Sequence, residues 1–372
     1  MTEPRLDLRA RAAALQAEYP VTHRLDLQVG PCAIRVSTNS AQLDTHLRHY
    51  FRHYFHREVG QSDPQTSFHI VALECPEPDF GVSFKDWPRD IGKQGRKDTY
   101  LDLPSGRLVR KVRTGMQFLL LSDQAVAVGP CLKNQNQVIN LVNSQYLSWM
   151  VRRGYLVCHS AAVIHRRVGL AMSGVSGAGK STLALNLLSR GYQFVSNDRL
   201  LVGRDRGGFQ MSGVPKMPRI NPGTILGNRD LWPILTLERL RAVEAMPKQT
   251  LWELEEKYDA DIEALYGADR VRSHGTLHGF VVLTWSPKSP EPMRLWRGTL
   301  RQRPELLLAI SKHPGVFHTD PQRGALPPPA GPPAAGPYME LMGDMPLLCF
   351  SGGVDFDAAA EACEQFVQEH GS

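Results

Sequence analysis

Hydrophobic positions along the chain gather in short runs, separated by Gly, Pro and Asp clusters, with a smaller number of helical stretches between them. Residues 29–36, 68–73 and 118–128 have the β-branched and aromatic composition of strands. Between the first two, residues 41–59 place Leu43, Leu47, Tyr50, Tyr54 and Phe55 mostly at steps of three and four, which predicts an amphipathic helix. A second helix is predicted over 135–153, with Val138, Leu141, Val142, Tyr146 and Met150 on one face and Gly154 as its stop. Residues 155–164 and 168–172 then read as strands, 183–189 as a helix ended by Arg190-Gly191, and 192–196 as a buried strand. Further on, Thr250-x-x-Glu253 has the pattern of a capping box and predicts one helix carrying Leu251, Leu254, Tyr258, Ile262 and Leu265. Residues 279–285 and 345–350 read as strands, and an Ala-rich helix starts at Asp357. The Pro/Ala/Gly tract 325–337 has little with which to build a core and is expected to be a flexible surface insertion.

A chain of 372 residues exceeds the usual size of one hydrophobic core, so two domains are expected. The pattern divides them into an α+β region over 1–134 and an α/β domain over 135–372. The net charge of +6 comes from 43 basic and 37 acidic residues without a long Lys/Arg block, which suits nucleotide phosphates and does not indicate nucleic acid. The six cysteines lie singly, so neither a zinc ribbon nor a disulfide framework is indicated and a reducing, cytoplasmic compartment is expected. No apolar run reaches membrane-spanning length, and residues 1–20 lack the apolar centre of a secretory signal.

The succession of strand, glycine-rich turn, helix and strand over 168–196 contains Gly174-Val175-Ser176-Gly177-Ala178-Gly179-Lys180-Ser181, followed by Thr182. All four fixed positions of a P-loop match, and the flanking elements are those that such a loop requires. Glycines at 174, 177 and 179 let consecutive backbone N–H groups converge on a triphosphate, and the helix beginning there directs its positive end at the same place. Lys180 supplies a compact positive charge for the β and γ phosphates, and the Ser181 hydroxyl is a ligand for Mg²⁺. The expected ligands are therefore ATP and Mg²⁺.

Discrimination among P-loop proteins has to come from other residues. Asp198, at the end of the strand after the loop, is placed to hold Mg²⁺ through water or to accept a proton from an attacking hydroxyl. The plainer reading of Asn197-Asp198 is a turn that closes a strand. His159 lies on the strand-like segment before the loop, where it is either a core histidine or a neighbour of the γ phosphate. Lys216 and Arg219 are candidates for neutralising a phosphoryl group or an acidic substrate, with a solvated basic loop as the alternative. His46, His49, His53 and His56 form a stripe beside the apolar face of the first helix, more simply read as its polar border than as a metal site. Glu253, Glu255, Glu256, Asp259, Asp261 and Glu263 read as a mostly solvated acidic face, of which Asp259 and Asp261 are the candidates for a further metal ligand or base. Neither an Asn-Lys-x-Asp guanine-reading motif nor a transport-ATPase signature is found.

Cys158-His159-Ser160, the loop with its preceding strand from Leu170 to Ser181, and Arg190 to Asp198 together resemble the catalytic core of the HPr kinase/phosphorylase family. The resemblance implies a mixed sheet with flanking helices, of the type found in the C-terminal domain of that family, preceded by a smaller α+β region. It implies a P-loop kinase that transfers the γ-phosphoryl group of ATP to a hydroxyl, by family likeness a protein serine or threonine. His159 matches a histidine near the family's reaction centre, and Asp198 matches the second of two aspartates with acid/base and metal roles. Asn197 stands where the first would be, and asparagine neither acts as a base nor brings negative charge to a metal. Pro215-Lys216-Met217-Pro218-Arg219-Ile220-Asn221-Pro222-Gly223, with residues 251–259, looks like the HprK-related kinase B subgroup. That likeness implies a bacterial setting beside an ATP-grasp protein and a small amphipathic, tryptophan-containing protein, and family members are commonly oligomeric. The alternative function is a nucleotide-binding sensor with reduced or absent catalysis.

Overall fold

The structure, a computed structural model, describes residues 6–54, 67–88, 95–175, 177–254, 256–319, 328–329 and 331–371. Phe55, His56, Ser176 and Glu255, named above, lie outside the described residues, as do residues 57–59 of the range 41–59 and part of the tract 325–337. The chain divides into two compact units, one of residues 1–153 with 313–331 and one of residues 154–312 with 332–372.

The first unit contains α1 (Leu8–Glu18), β1 (His23–Val29), β2 (Cys32–Thr38), α2 (Ala41–Tyr50), β3 (Phe68–Glu74), β4 (Lys85–Asp86), β5 (Asp98–Leu103), β6 (Gly106–Lys111), β7 (Gln117–Leu120), β8 (Gln124–Gly129) and α3 (Gln135–Val151). Its strands form one mixed sheet in the order β1-β2-β3-β8-β7-β6-β5-β4, with β2–β3 and β3–β8 parallel. Two of the predicted single strands are hairpins. Val29 pairs with Cys32 across a turn in which Gly30 has φ +56°, and Leu120 pairs with Ala125. Each run is broken by a turn-forming pair, Gly30-Pro31 and Ser122-Asp123, which marks the reversal that reading the flanking apolar residues as one strand passes over. In α2 the Ser40 hydroxyl accepts from Leu43 N at 3.3 Å, and Leu43 and Leu47 are buried as the periodicity requires.

Helix α3 forms where it was predicted but belongs with the first unit, so the division falls after Arg153 and not after Asn134. The cause is the burial of Val138, Leu141, Val142 and Tyr146 within that unit, together with the return of residues 313–319 to it. There Phe317 meets Phe118 edge to face at 4.9 Å, and His318 Nδ1 shares a hydrogen bond with Ser148 Oγ at 3.0 Å. The fully buried Arg107 is held by Asp102 at 2.6 Å and donates to Val316 O at 3.1 Å, which satisfies a charge that would be costly alone.

The second unit contains β9 (Leu156–Cys158), β10 (Ser160–His165), β11 (Val168–Gly174), α4 (Lys180–Ser189), β12 (Gln193–Ser196), β13 (Leu200–Asp205), β14 (Gly208–Gly213), β15 (Arg219–Ile220), α5 (Pro222–Leu226), α6 (Leu237–Glu244), α7 (Lys248–Glu253), β16 (Tyr258–Asp259), α8 (Ile262–Tyr266), β17 (His274–Leu283), β18 (Arg294–Thr299), α9 (Leu307–Ile310), α10 (Ala335–Met342), β19 (Pro346–Ser351) and α11 (Phe356–His370). The main sheet runs β12-β10-β11-β17-β14-β13-β9, and β19 extends it from β17 to β18. β17 is parallel to β11 and β19 and antiparallel to β14, so the sheet is mixed. One face is covered by Leu183, Leu187 and Leu188 of α4 with Ala359, Cys363 and Phe366 of α11. The other buries Ala171, Val282 and Val195 with Ile310, Tyr338 and Met342. The expected α/β architecture, a mixed sheet with helices on both faces, is present. Among the described residues no helix is long and apolar enough to cross a membrane.

The helix predicted over 250–265 is instead α7, β16 and α8. Thr250 lies within α7, which follows Pro247, while Tyr258 and Asp259 pair with Ile220 and Arg219 and Asp261 caps α8 through Ala264 N at 3.3 Å. Strand pairing and a new cap interrupt a helical period that no local breaker interrupts. The tract 325–337 is not wholly an insertion, because α10 begins in it at Ala335 and buries Tyr338 and Met342, with the Tyr338 hydroxyl donating to Val157 O at 2.6 Å.

Gly213 closes β14 against β12. A Cβ there would meet Val195 O at 1.9 Å, whereas one on Gly336 would meet nothing within 4 Å. Gly213→Ala is expected to cost about 2–3 kcal/mol by overpacking, and Gly336→Ala to leave stability unchanged or slightly raised. Urea denaturation of both variants checks this.

Candidate functional site

β11 ends at Gly174, paired with Leu283 of β17, and the chain turns from there into α4. A Cβ on Gly174 would meet Leu283 O at 2.8 Å, so only glycine fits beside that strand. Gly177 and Gly179 have φ of +83° and +90°, which glycine adopts without strain. Ala178 N donates to Val175 O at 3.1 Å, and Leu183 N donates to Gly179 O at 2.9 Å, opening the helix. The turn is backed by aromatic side chains. Trp285 Nε1 donates to Ala178 O at 2.8 Å, and the Trp285 ring meets Phe350 and Phe356 at 5.8 and 5.1 Å. Phe356 in turn lies where any Cβ on Gly179 would be, 2.5 Å from its ring.

Lys180 is buried and folds back over the loop, its Nζ donating to Gly174 O at 2.9 Å and Val175 O at 3.2 Å. Burial pushes its pKa down to about 8, with Lys312 adding to the effect and Asp198 opposing it. Ser181 stands half-buried in the first turn of α4. The Thr182 hydroxyl shares a hydrogen bond with Thr224 Oγ1 of α5 at 2.9 Å, which ties α5 to the start of α4. Val175 is exposed.

Strand register brings the remaining residues to the same sheet end. Ser160 pairs with Ser173, their hydroxyls 2.6 Å apart, so His159 lies one residue outside the pair that precedes Gly174. Cys158 pairs with Leu200 and Leu200 with Gly213, which sets His159, Asp198 and Lys216 just beyond the ends of β9, β13 and β14. His159 is therefore not inside a strand, as the run 155–164 suggested, but at the break between β9 and β10. On the other side of β9, His159 N donates to Ile310 O at 2.6 Å and Lys312 N to Val157 O at 3.1 Å, which carries Lys312 to the same end.

His159 Nε2 is 3.2 Å from Asp198 Oδ1, and Lys312 Nζ is 3.4 Å from both Asp198 oxygens. Burial alone would push the Asp198 carboxyl up, but the His159 hydrogen bond and the Lys312 charge, with Arg199 adding, hold it well below the usual carboxylate range. Burial lowers the His159 pKa, and Lys312 and Lys180 lower it further against the pull of Asp198. An ionised carboxylate only accepts, so Nε2 carries the proton of a neutral imidazole. Burial also lowers the Lys216 pKa, with Asp198 opposing and Arg199, Arg219 and Lys312 adding. Asn197 Oδ1 is buried with no hydrogen-bond partner among the described residues.

The structure thus brings the loop, Lys180, His159, Asp198 and Lys216 to one sheet end. Arg219 is held by Asp259, 3.2 Å away across β15 and β16, and Asp261 caps α8, so the two acidic candidates have structural duties. Among the described residues no group of three or more His, Cys, Asp or Glu is placed to hold a metal ion. Lys312 was missed by sequence reasoning: it follows an apolar helical turn, belongs to no motif, and reaches Asp198 only through its pairing with β9.

No family model matches the chain, and no curated protein matches it. Among solved structures it is similar to an HPr(Ser) kinase/phosphatase from Coxiella burnetii, at 14% identity over 57% of this chain and 95% of that one, with a TM-score of 0.29. A likeness at that score adds nothing to what the strands and side chains themselves show.

Trp285→Phe keeps an aromatic ring against Phe350 and Phe356 but removes the bond to Ala178 O. The expected loss is about 1 kcal/mol, with faster amide exchange confined to the loop and the first turn of α4. Hydrogen exchange of wild type and variant, resolved by residue, measures it.

Proposed function

We propose that the chain is an ATP-dependent kinase of the HPr kinase-like type, transferring the γ-phosphoryl group to an acceptor hydroxyl. The observation that carries the proposal is the ionised Asp198, held between His159 and Lys312 at the sheet end that also carries the loop and Lys180. A P-loop lysine alone marks phosphate binding, whereas an oriented carboxylate beside it supplies the means to place and deprotonate a nucleophile.

In this reading the loop amides between Gly174 and Ser181 and the α4 N-terminus receive the phosphates, and Lys180 exchanges its contacts with Gly174 O and Val175 O for phosphate oxygens. His159 donates Nε2–H to Asp198 and fixes its orientation. The acceptor hydroxyl gives its proton to Asp198 as its oxygen bonds to the γ-phosphorus, and ADP leaves with the electron pair of the broken bond. Mg²⁺, when bound, supplies charge neutralisation between the β and γ phosphates. The Ser181 hydroxyl suits it as a direct ligand and Asp198 through water, because Lys312 and His159 already face the Asp198 oxygens. These oxygen donors fit an ion that arrives with the nucleotide and keeps much of its water shell. Family likeness favours a protein serine or threonine as acceptor, including products of neighbouring genes of the ATP-grasp and amphipathic, tryptophan-containing kinds.

Asn197 supports a second reading, a nucleotide-responsive module with little catalysis, since its neutral amide stands beside Asp198 where the resemblance expects another acid. Incubation of the purified chain with γ-labelled ATP, Mg²⁺ and candidate acceptors separates the two. The kinase reading expects label transfer that falls by about 100-fold or more in Lys180→Ala and in Asp198→Ala, with nucleotide affinity lost only in the former. Nucleotide binding that depends on Lys180, without transfer to any acceptor, would support the module.

The lowered Lys180 pKa gives a further expectation. Bound phosphate favours the charged ammonium, so above about pH 8 the free protein must take up a proton to bind ATP. Affinity is expected to fall with rising pH beyond that point, approaching about tenfold per unit, and Lys180→Met should bind weakly with no such dependence. Calorimetry in buffers of different ionisation enthalpy counts the proton directly.

A further inference from the structure

The first unit holds a cavity of its own, of about 270 Å³, lined by Val82, Phe84, Arg96, Thr99, Arg110 and Val112. Ligand sites run to about 300–1,000 Å³, so this one suits a small metabolite and not a nucleotide. Its lining is mixed in the way such sites are. An aromatic ring and two valines, of which Val112 is 39% exposed, stand with two guanidinium groups and a hydroxyl.

Register brings the polar groups together. Thr99 of β5 pairs with Arg110 of β6, and Arg110 with Gln117 of β7, so the three side chains form a row on one face of the sheet. The Thr99 hydroxyl donates to Arg110 O at 3.4 Å, and Asp86 of β4, which pairs with Thr99, accepts from Arg96 Nε at 2.7 Å. Arg110 Nη2 donates to Glu77 Oε1 at 2.5 Å. Glu77 is itself placed by Gly115, where a Cβ would meet its Oε2 at 2.3 Å. Arg110 Nε, by contrast, is buried with no hydrogen-bond partner among the described residues. So is Gln117 Oε1, next in the row, although Gln117 Nε2 donates to Pro78 O. A buried donor of a charged group is costly to leave unmatched, and such a group marks a place that water, an ion or a ligand completes.

We infer that this cavity binds a small carboxylate with an apolar body. Its carboxylate is taken by Arg110, with Arg96 and Thr99 at the side, and its apolar part lies against Phe84, Val82 and Val112. A guanidinium offers five donors in a planar fork, so Arg96 and Arg110 keep donors for a ligand while Asp86 and Glu77 hold one nitrogen of each. Those two carboxylates also set the charge of the guest: a monoanion is accommodated, whereas the second charge of a phosphate dianion would be repelled. Nε is covered where it stands, and a turn of the Arg110 side chain, which is 43% exposed, brings it to the ligand. The inference stands apart from the kinase reading, because every residue in it belongs to the first unit.

The test titrates the full chain with phenylacetate and isovalerate, each against its neutral amide, and with inorganic phosphate, followed by calorimetry and by backbone amide NMR. At least one acid is expected to bind about tenfold or more tighter than its amide, with amide shifts at Thr99, Arg110 and Val112. Arg110→Met is expected to erase that preference, and Arg110→Lys, which keeps the charge but not the fork, to retain only part of it. Melting curves check that both variants fold. Arg96→Met, at an exposed position outside the row, gives a second reading and is expected to lower the preference. Acid and amide bound alike, or neither bound, would overturn the inference. So would phosphate held more tightly than either acid, shifts centred on residues 174–182, or a preference that survives unchanged in folded Arg110→Met or in Arg96→Met.

Discussion

The pairing of Cys158 with Leu200 is the constraint on which the sheet end that carries the glycine loop, His159 and Asp198 depends. It joins the short strand before the glycine loop to the strand that follows Asp198, and so decides that His159 and Asp198 leave the sheet side by side. Because strand side chains alternate, a slip of one residue would send His159 to the opposite face and part it from the carboxylate. The same strand takes residues 310–312 on its other edge, and that contact delivers Lys312. Three segments far apart in sequence thus meet at one carboxylate through backbone pairing alone.

The loop depends on a different kind of support. Its glycines permit the turn, but its position is fixed by Trp285, Phe350 and Phe356, contributed by elements more than 100 residues later. Lys180 is buried with the loop's own carbonyls, Gly174 O and Val175 O, as partners of its ammonium. On the proposed kinase reading, a lysine held so, its pKa pushed down to about 8, would exchange those carbonyls for phosphate oxygens, which gain more from its charge than neutral carbonyls do.

Much of this arrangement was legible in the sequence, for identifiable reasons. The strand-loop-helix unit was readable because glycine positions and hydrophobic period speak for the same local structure; α3 was found from its apolar face, α4 from its place between the loop and Arg190-Gly191, and α11 from its Ala-rich composition. Asp198 and His159 were found as candidates because each adjoins a strand next to the loop. The two hairpins were missed although Gly30-Pro31 and Ser122-Asp123 are turn-forming pairs, because the apolar residues on either side were read as one strand. The helix predicted over 250–265 failed because Tyr258 and Asp259 gain more by pairing with Ile220 and Arg219 than by continuing a helical turn. Lys312 was beyond local reasoning altogether, as nothing near it in sequence distinguishes it from any solvated lysine.

The central claim is that the glycine loop and Asp198 form one phosphoryl-transfer centre. The most direct measurement is a crystal structure of the chain with Mg²⁺, ADP and aluminium fluoride, a mimic of the phosphoryl group in transit. The account predicts the β phosphate within Gly174–Ser181, Lys180 Nζ moved off Gly174 O onto the phosphate oxygens, and the fluoride group between Lys180 and Asp198 with Asp198 still bonded to His159. Nucleotide bound away from the loop, or bound in it with Asp198 turned away from the fluoride group, would contradict it.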